Sequence, residues 1–232
     1  VDTVRPPVAS RQIVARRDAL LQKHRIIAYY GNPLSTRMGI LGEIPPEQMM
    51  ARLEETAKRW EAADTSRPVL RALHLIVTVA QAHPGERGLY RLQHGDALIG
   101  KVAAWADSRG WLLFLDVQAG RSPIAAEIPR LLPWLRRPNV HLGIDPEFAM
   151  PPGKVPGKRI GTLDASDVNQ VQALLAKLVD EAGIPPKILV VHRFTEGMLT
   201  RERDVTLDPR VQVVIDADGF GGYTPLFSTV VS

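Results

Sequence analysis

No cysteine occurs among the 232 residues. That excludes a disulfide scaffold, a cysteine nucleophile, iron–sulfur clusters and zinc sites built on thiolates. No apolar run approaches the roughly 20 residues of a membrane-spanning helix. Charge of one sign is scarce too: 29 Lys+Arg stand against 25 Asp+Glu, a formal net charge of +4. The basic residues are dispersed, and their densest groups (Arg11, Arg16 and Arg17, then Arg130, Arg136 and Arg137) sit in stretches with helical patterning. They read as solvated faces. No basic stripe is interleaved with aromatics, so no nucleic-acid partner is expected. Val1–Arg5 lacks the basic-then-apolar pattern of a signal peptide. What is present is ordinary globular material, 45% hydrophobic and 23% charged, enough for a sizeable core. Arginine outnumbers lysine and proline is frequent, a composition compatible with a heat-adapted source.

One alternation repeats along the chain. Short β-rich runs fall at residues 25–30, 69–80, 111–117, 140–144, 187–191 and 211–215. Between them lie stretches with helical spacing at residues 46–63, 96–108, 124–135 and 167–182. Pro129 and Pro133 must kink or divide the third of these. Ser166 reads as the N-cap of the fourth and Gly183 as its C-cap. A short helix is expected at residues 196–203. Apolar strands alternating with amphipathic helices imply a parallel sheet covered by helices.

Two α/β architectures fit, a (β/α) barrel and an open doubly wound sheet. Connections from helix to strand are short and those from strand to helix are long (residues 31–45, 81–95 and 146–164), so the long loops gather at the carboxyl ends of the strands. The first strand is followed by YYGNPLSTRMGILGE, which has neither the G-x-G-x-x-G nor the Walker spacing. That favours a TIM-barrel-like parallel (β/α) barrel in a single domain over residues 1–232, with residues 1–24 as an N-terminal helical extension. Six strands are readable where a complete barrel has eight. Either the barrel is incomplete, or a strand is hidden within residues 223–231, or further strands lie outside this sequence.

Polar residues collect at the carboxyl ends of the six runs: Tyr30 and Asn32, His74 within the second, Asp116 and Gln118, Asp145 and Glu147, His192, and Asp216 with Asp218 and Phe220. Acids at the ends of buried strands are costly unless solvated, paired or metal-bound, so several on one rim suggest a shared cleft. Paired carboxylates suit hydrolysis, one protonated as acid and one ionised as base or nucleophile. The candidate catalytic residues are therefore Asp145, Glu147, Asp116 and Asp216. The candidate substrate-binding residues are Tyr30, Asn32, His74, Gln118, His192, Asp218 and Phe220. Asp145 serves equally well as the cap of the turn that follows it, and His74 as a satisfied interior histidine. Tyr29, Tyr30, Phe148, Phe194, Phe220 and Tyr223 read as stacking platforms for a glycan or other small polar ligand.

No G-x-S-x-G elbow is present, which disfavours serine-hydrolase chemistry. Asp116, Asp145, His192 and Asp216 could form a divalent-metal set, but neither H-x-H nor H-E-x-x-H spacing occurs. The expectation is no cofactor, with a divalent metal as the alternative. The readings are a glycoside-type hydrolase, a metal-dependent hydrolase or isomerase using His192 and the aspartates, and a glycan-binding protein without turnover.

YYGNPLSTRMGILGE, LHLIVTVA, LDVQAGRS, VHLGIDPEF, DASDVNQV, KILVVHRF and VVIDADGFG follow one another between roughly Arg25 and Gly222. In this order they resemble a family of bacterial envelope proteins, described as lipoproteins or cell-wall-associated proteins with a barrel-like domain. The resemblance implies a TIM-barrel-like fold and an extracellular or envelope location. It carries no activity.

Overall fold

A computed structural model describes residues 15–217 and 228–231. Six strands form a parallel sheet: β1 (Arg25–Gly31), β2 (Val69–Ala80), β3 (Leu112–Val117), β4 (Val140–Ile144), β5 (Lys187–His192) and β6 (Val211–Asp216). They lie side by side in chain order, each parallel to the next. The order lacks the reversal that defines a doubly wound sheet. The sheet is also curled. The rings of Tyr30 on β1 and His192 on β5 have centroids 5.6 Å apart. Four strand spacings across a flat sheet would separate them by about 19 Å. The architecture is therefore a mixed α/β half-barrel.

Alternation along each strand sorts the side chains onto two faces. Ile27, Leu73, Leu75, Leu113, Leu115, Leu142, Leu189 and Val191 point outward and pack against the helices. Ile26, Ala28, Ala72, Phe114, Ile188 and Val190 point inward and form a second, smaller core. The outer layer comprises α1 (Pro46–Ala63), α2 (Asp96–Asp107) and α3 (Ala165–Ala182). Their buried residues (Met49, Leu53 and Ala57; Ile99, Val102 and Ala106; Val168, Val171 and Leu175) recur at helical spacing. Pro46 occupies the first turn of α1, where its missing N–H costs nothing. The expected helix over residues 124–135 is divided at its prolines, into Ile124–Glu127, a 3-10 turn Pro129–Leu131 and Leu132–Leu135.

Several expectations need correction. Asp164, not Ser166, caps α3. Its Oδ1 accepts from the Ser166 N–H at 2.9 Å, and the Asp167 carboxylate accepts from the Asp164 N–H at 2.9 Å, closing a capping box. Asp164→Ala is expected to lower stability by about 1 kcal/mol in urea denaturation, from loss of the cap. Residues 196–203 form two 3-10 turns, Glu196–Met198 and Glu202–Asp204, around a two-residue strand, Leu199–Thr200. Of the N-terminal extension, residues 15–24 form turns, not a helix. Their role is local packing: Leu20 and Leu21 cover the inner core, and the Leu21 N–H donates to Gln212 Oε1 at 2.9 Å.

The strand anticipated within residues 223–231 as one of three alternatives is present as Ser228–Val231. It pairs antiparallel with β1, so it does not continue the parallel series. A further strand, Arg91–Gln93, pairs antiparallel with the end of β2. Its three residues are too few to show a period. Arg91 and Gln93 anchor it by donating to the buried Glu127 carboxylate, both at 2.6 Å.

Candidate functional site

The inward face changes character along the strands. Toward their amino ends it is mainly apolar, with His141 a buried exception beside Phe114; toward their carboxyl ends it becomes polar, through Tyr30, His74, Asp116, Asp145, His192 and Asp216. Two-residue alternation produces this change. Ala28 precedes Tyr30, Ala72 precedes His74, Phe114 precedes Asp116, Gly143 precedes Asp145 and Val190 precedes His192, each pair on one face.

Asp116 is at the centre and fully buried. His74 Nε2 lies 3.2 Å and His192 Nε2 3.3 Å from its Oδ1. The Tyr30 hydroxyl donates to its Oδ2 at 3.0 Å. Gln118 Nε2 donates to the Tyr30 oxygen at 3.3 Å, and Gln118 Oε1 accepts from the Ala80 N–H at 3.1 Å, tying the tyrosine to β2. On the far side of His192, Asp216 Oδ2 is 3.7 Å from Nδ1. The rings pack tightly: His74 to His192 is 5.3 Å between centroids, and His74 stacks on Phe114 at 5.2 Å.

Burial of Asp116 opposes its ionisation, but the charge and hydrogen bonding of His192, then of His74, outweigh burial and hold the carboxyl below its usual range. Asp145 has the opposite balance. Burial pushes it up to about 8, against the attraction of His192 and with the help of the charges on Asp116 and Glu147. Burial also raises Tyr30 well above its ordinary value, with Asp116 and Asp145 adding to the effect. The mouth thus favours one ionised and one protonated aspartate.

Gly143 makes the crowding possible. It stands opposite Asp116 in the β3–β4 register. A Cβ there would overlap Asp116 Oδ1 and lie 2.5 Å from His74 Nε2.

The other candidates take varied places. Asp145 Oδ1 accepts from the Glu147 N–H at 3.0 Å, so the capping role left open for it is real, and its carboxyl also belongs to the mouth electrostatically. Glu147 is half-buried beside it. Asn32 braces the β1 loop: its Nδ2 donates to the Ile76 carbonyl at 3.1 Å and lies 2.8 Å from His94 Nε2, while its Oδ1 accepts from the Leu34 N–H. Tyr29 faces outward, with its hydroxyl 3.1 Å from Thr56 Oγ1 of α1, so it offers no stacking surface in the mouth. Phe148 and Phe194 are half-buried. Asp218, Phe220 and Tyr223 lie outside the described residues.

Sequence reasoning did not place His74 on the same carboxylate as His192, and it passed over Phe114 and Gly143. The signal available was the shared parity of these residues along adjacent strands. Among the described residues, His74, Asp116 and His192 are a group able to hold a metal, with one ligand atom from each lying within 4.8 Å of the others.

No family model matches the chain, and neither a curated protein nor a solved structure is detectably similar to it.

Proposed function

We propose that the mouth of the half-barrel is the active site of a hydrolase of glycoside type. The observation that carries this reading is the convergence of two buried carboxylates, Asp116 and Asp145, in one mouth flanked by His74, His192 and Tyr30. In this scheme protonated Asp145 gives its proton to the leaving oxygen as the glycosidic C–O bond breaks. Ionised Asp116 either attacks the anomeric carbon, forming a glycosyl ester that water then hydrolyses, or takes the proton of a water that attacks that carbon. Tyr30, His74 and His192 hold Asp116 in place, Gln118 fixes Tyr30, and Glu147 and Asp216 supply negative charge at the rim. The half-barrel is, on this reading, a shortened TIM-like barrel, and long loops at its carboxyl end suit a small-molecule or glycan ligand. The envelope location rests on the motif resemblance alone.

A panel of chromogenic glycosides and esters tests the proposal. Turnover of a glycoside is expected to fall about 10²- to 10⁴-fold in Asp145→Asn and in Asp116→Asn. Circular dichroism checks that each variant folds. Turnover that survives both substitutions within tenfold would refute the paired-acid scheme. Saturable glycan binding with no turnover would make the protein a binding module.

A further inference from the structure

We infer that His74, Asp116 and His192 bind one divalent metal ion of the borderline class, zinc rather than calcium or magnesium. The inference rests on the hydrolase reading for its role, and deepens it by naming a cofactor, but its evidence is separate. Two imidazoles and one carboxylate are the donor set that borderline ions select, whereas calcium and magnesium favour oxygen-only shells. The spacing fits as well. Zinc–nitrogen and zinc–oxygen bonds of about 2.0–2.2 Å at tetrahedral angles put ligand atoms about 3.3–3.4 Å apart. His74 Nε2 and His192 Nε2 lie 3.2 and 3.3 Å from Asp116 Oδ1.

All three side chains are at least nine-tenths buried, at 3%, 0% and 6% exposure, so the ligands are held before an ion arrives. Their surroundings match the outer shell of such a centre. Tyr30 occupies the other oxygen of Asp116, leaving Oδ1 for the ion. Asp216 Oδ2 stands 3.7 Å from Nδ1 of His192, on the side of the ring away from Nε2. Gly143 leaves open the space beside Asp116 Oδ1 and His74 Nε2 that any side chain would fill. With an ion bound, Asp116 would be a ligand and no longer the base or nucleophile; the ion would supply the charge that activates water, and Asp145 would keep its acid role.

The experiment uses the whole chain, stripped with EDTA and dialysed. Zinc uptake of one equivalent per chain is expected, with a melting temperature that climbs as free zinc increases. Cobalt(II) should produce visible absorption bands, while magnesium and calcium should leave the melting temperature unchanged. His74→Gln and His192→Gln should each weaken zinc binding at least 100-fold, and His83→Ala, at an exposed position, should not alter it. Should the ligand variants fail to fold, nitrogen-15 spectra of the wild-type histidines decide. Zinc must shift the His74 and His192 signals and spare the other four. No uptake by the wild type, or equal uptake by the His74→Gln/His192→Gln double variant, overturns the inference. Zinc binding without turnover of any substrate supports the metal site and sinks the hydrolase reading. Turnover that survives exhaustive chelation supports the hydrolase reading and overturns the ion's part in it, while uptake alone decides the site.

Discussion

Gly143→Ala is expected to cost about 3–5 kcal/mol of folding stability, far more than one methyl group ordinarily costs. The added carbon would overlap Asp116 Oδ1 and stand 2.5 Å from His74 Nε2. Asp116 and His74 cannot both keep their places. Overpacking alone costs about 1–3 kcal/mol. Driving His74 off Asp116 removes a partner from a fully buried carboxylate, and breaking a buried pair costs about 3–5 kcal/mol. The two costs overlap, because moving the histidine relieves the clash. Urea denaturation measures the loss, and the His74 imidazole signals report whether the pair has separated. Gly100→Ala is the contrasting variant. Gly100 lies within α2, and its added Cβ would meet only the Trp134 ring edge, at 3.4 Å. Helix propensity then favours alanine by about 0.5–1 kcal/mol. A Gly143→Ala protein as stable as wild type, with unshifted His74 signals, would show that the mouth is looser than its distances indicate.

The same glycine marks the boundary of what the sequence reveals. Strand and helix existence was readable because the outward faces of β1–β6 and the apolar stripes of α1–α3 obey periods of two and 3.6. Residues 46–63, 69–80 and 140–144 end where the apolar patterning stops. The half-barrel itself was less legible. Six β-rich runs in a row are compatible with either curl or reversal, because strand order depends on contacts between distant residues. The site was half legible. Acids and histidines at strand ends could be named one by one, but sequence does not show which meet. His74 looked like an interior residue, and it is one, yet it shares a carboxylate with His192, 118 positions later. Gly143 carried no signal because its importance lies in what occupies the space beside it. The Ser166 cap failed for a local reason: Asp164 and Asp167 make reciprocal bonds that a serine two residues on cannot match.

Lys187 leads to the second large effect, at the opposite end of the strands. It opens β5 fully buried, and its Nζ donates to the carbonyls of Arg137 at 2.7 Å and Val140 at 2.8 Å. Carbonyl dipoles do not neutralise an ammonium, and burial pushes this one down from 10.5 to about 7. Nearby, His141 accepts the Ile188 N–H at its Nδ1, and burial, with Lys187 adding to it, holds that imidazole neutral. Between about pH 7 and 10.5 the unfolded chain carries a proton on Lys187 that the folded chain has released. Stability from this group therefore rises with pH across that window, is complete above it, and is absent below it. The full change is about 5 kcal/mol. Lys187→Met should abolish the slope while leaving two buried carbonyls without their donor, at about 1–3 kcal/mol each. Wild type should therefore be the more stable protein at pH 10, with the gap narrowing or reversing by pH 6. Asp145 contributes the opposite trend up to about pH 8, because its protonated form is the one favoured by folding. Subtracting the two denaturation series cancels it, since both proteins keep Asp145. Parallel stability curves for wild type and Lys187→Met from pH 6 to 10 would mean that Lys187 remains charged inside the fold.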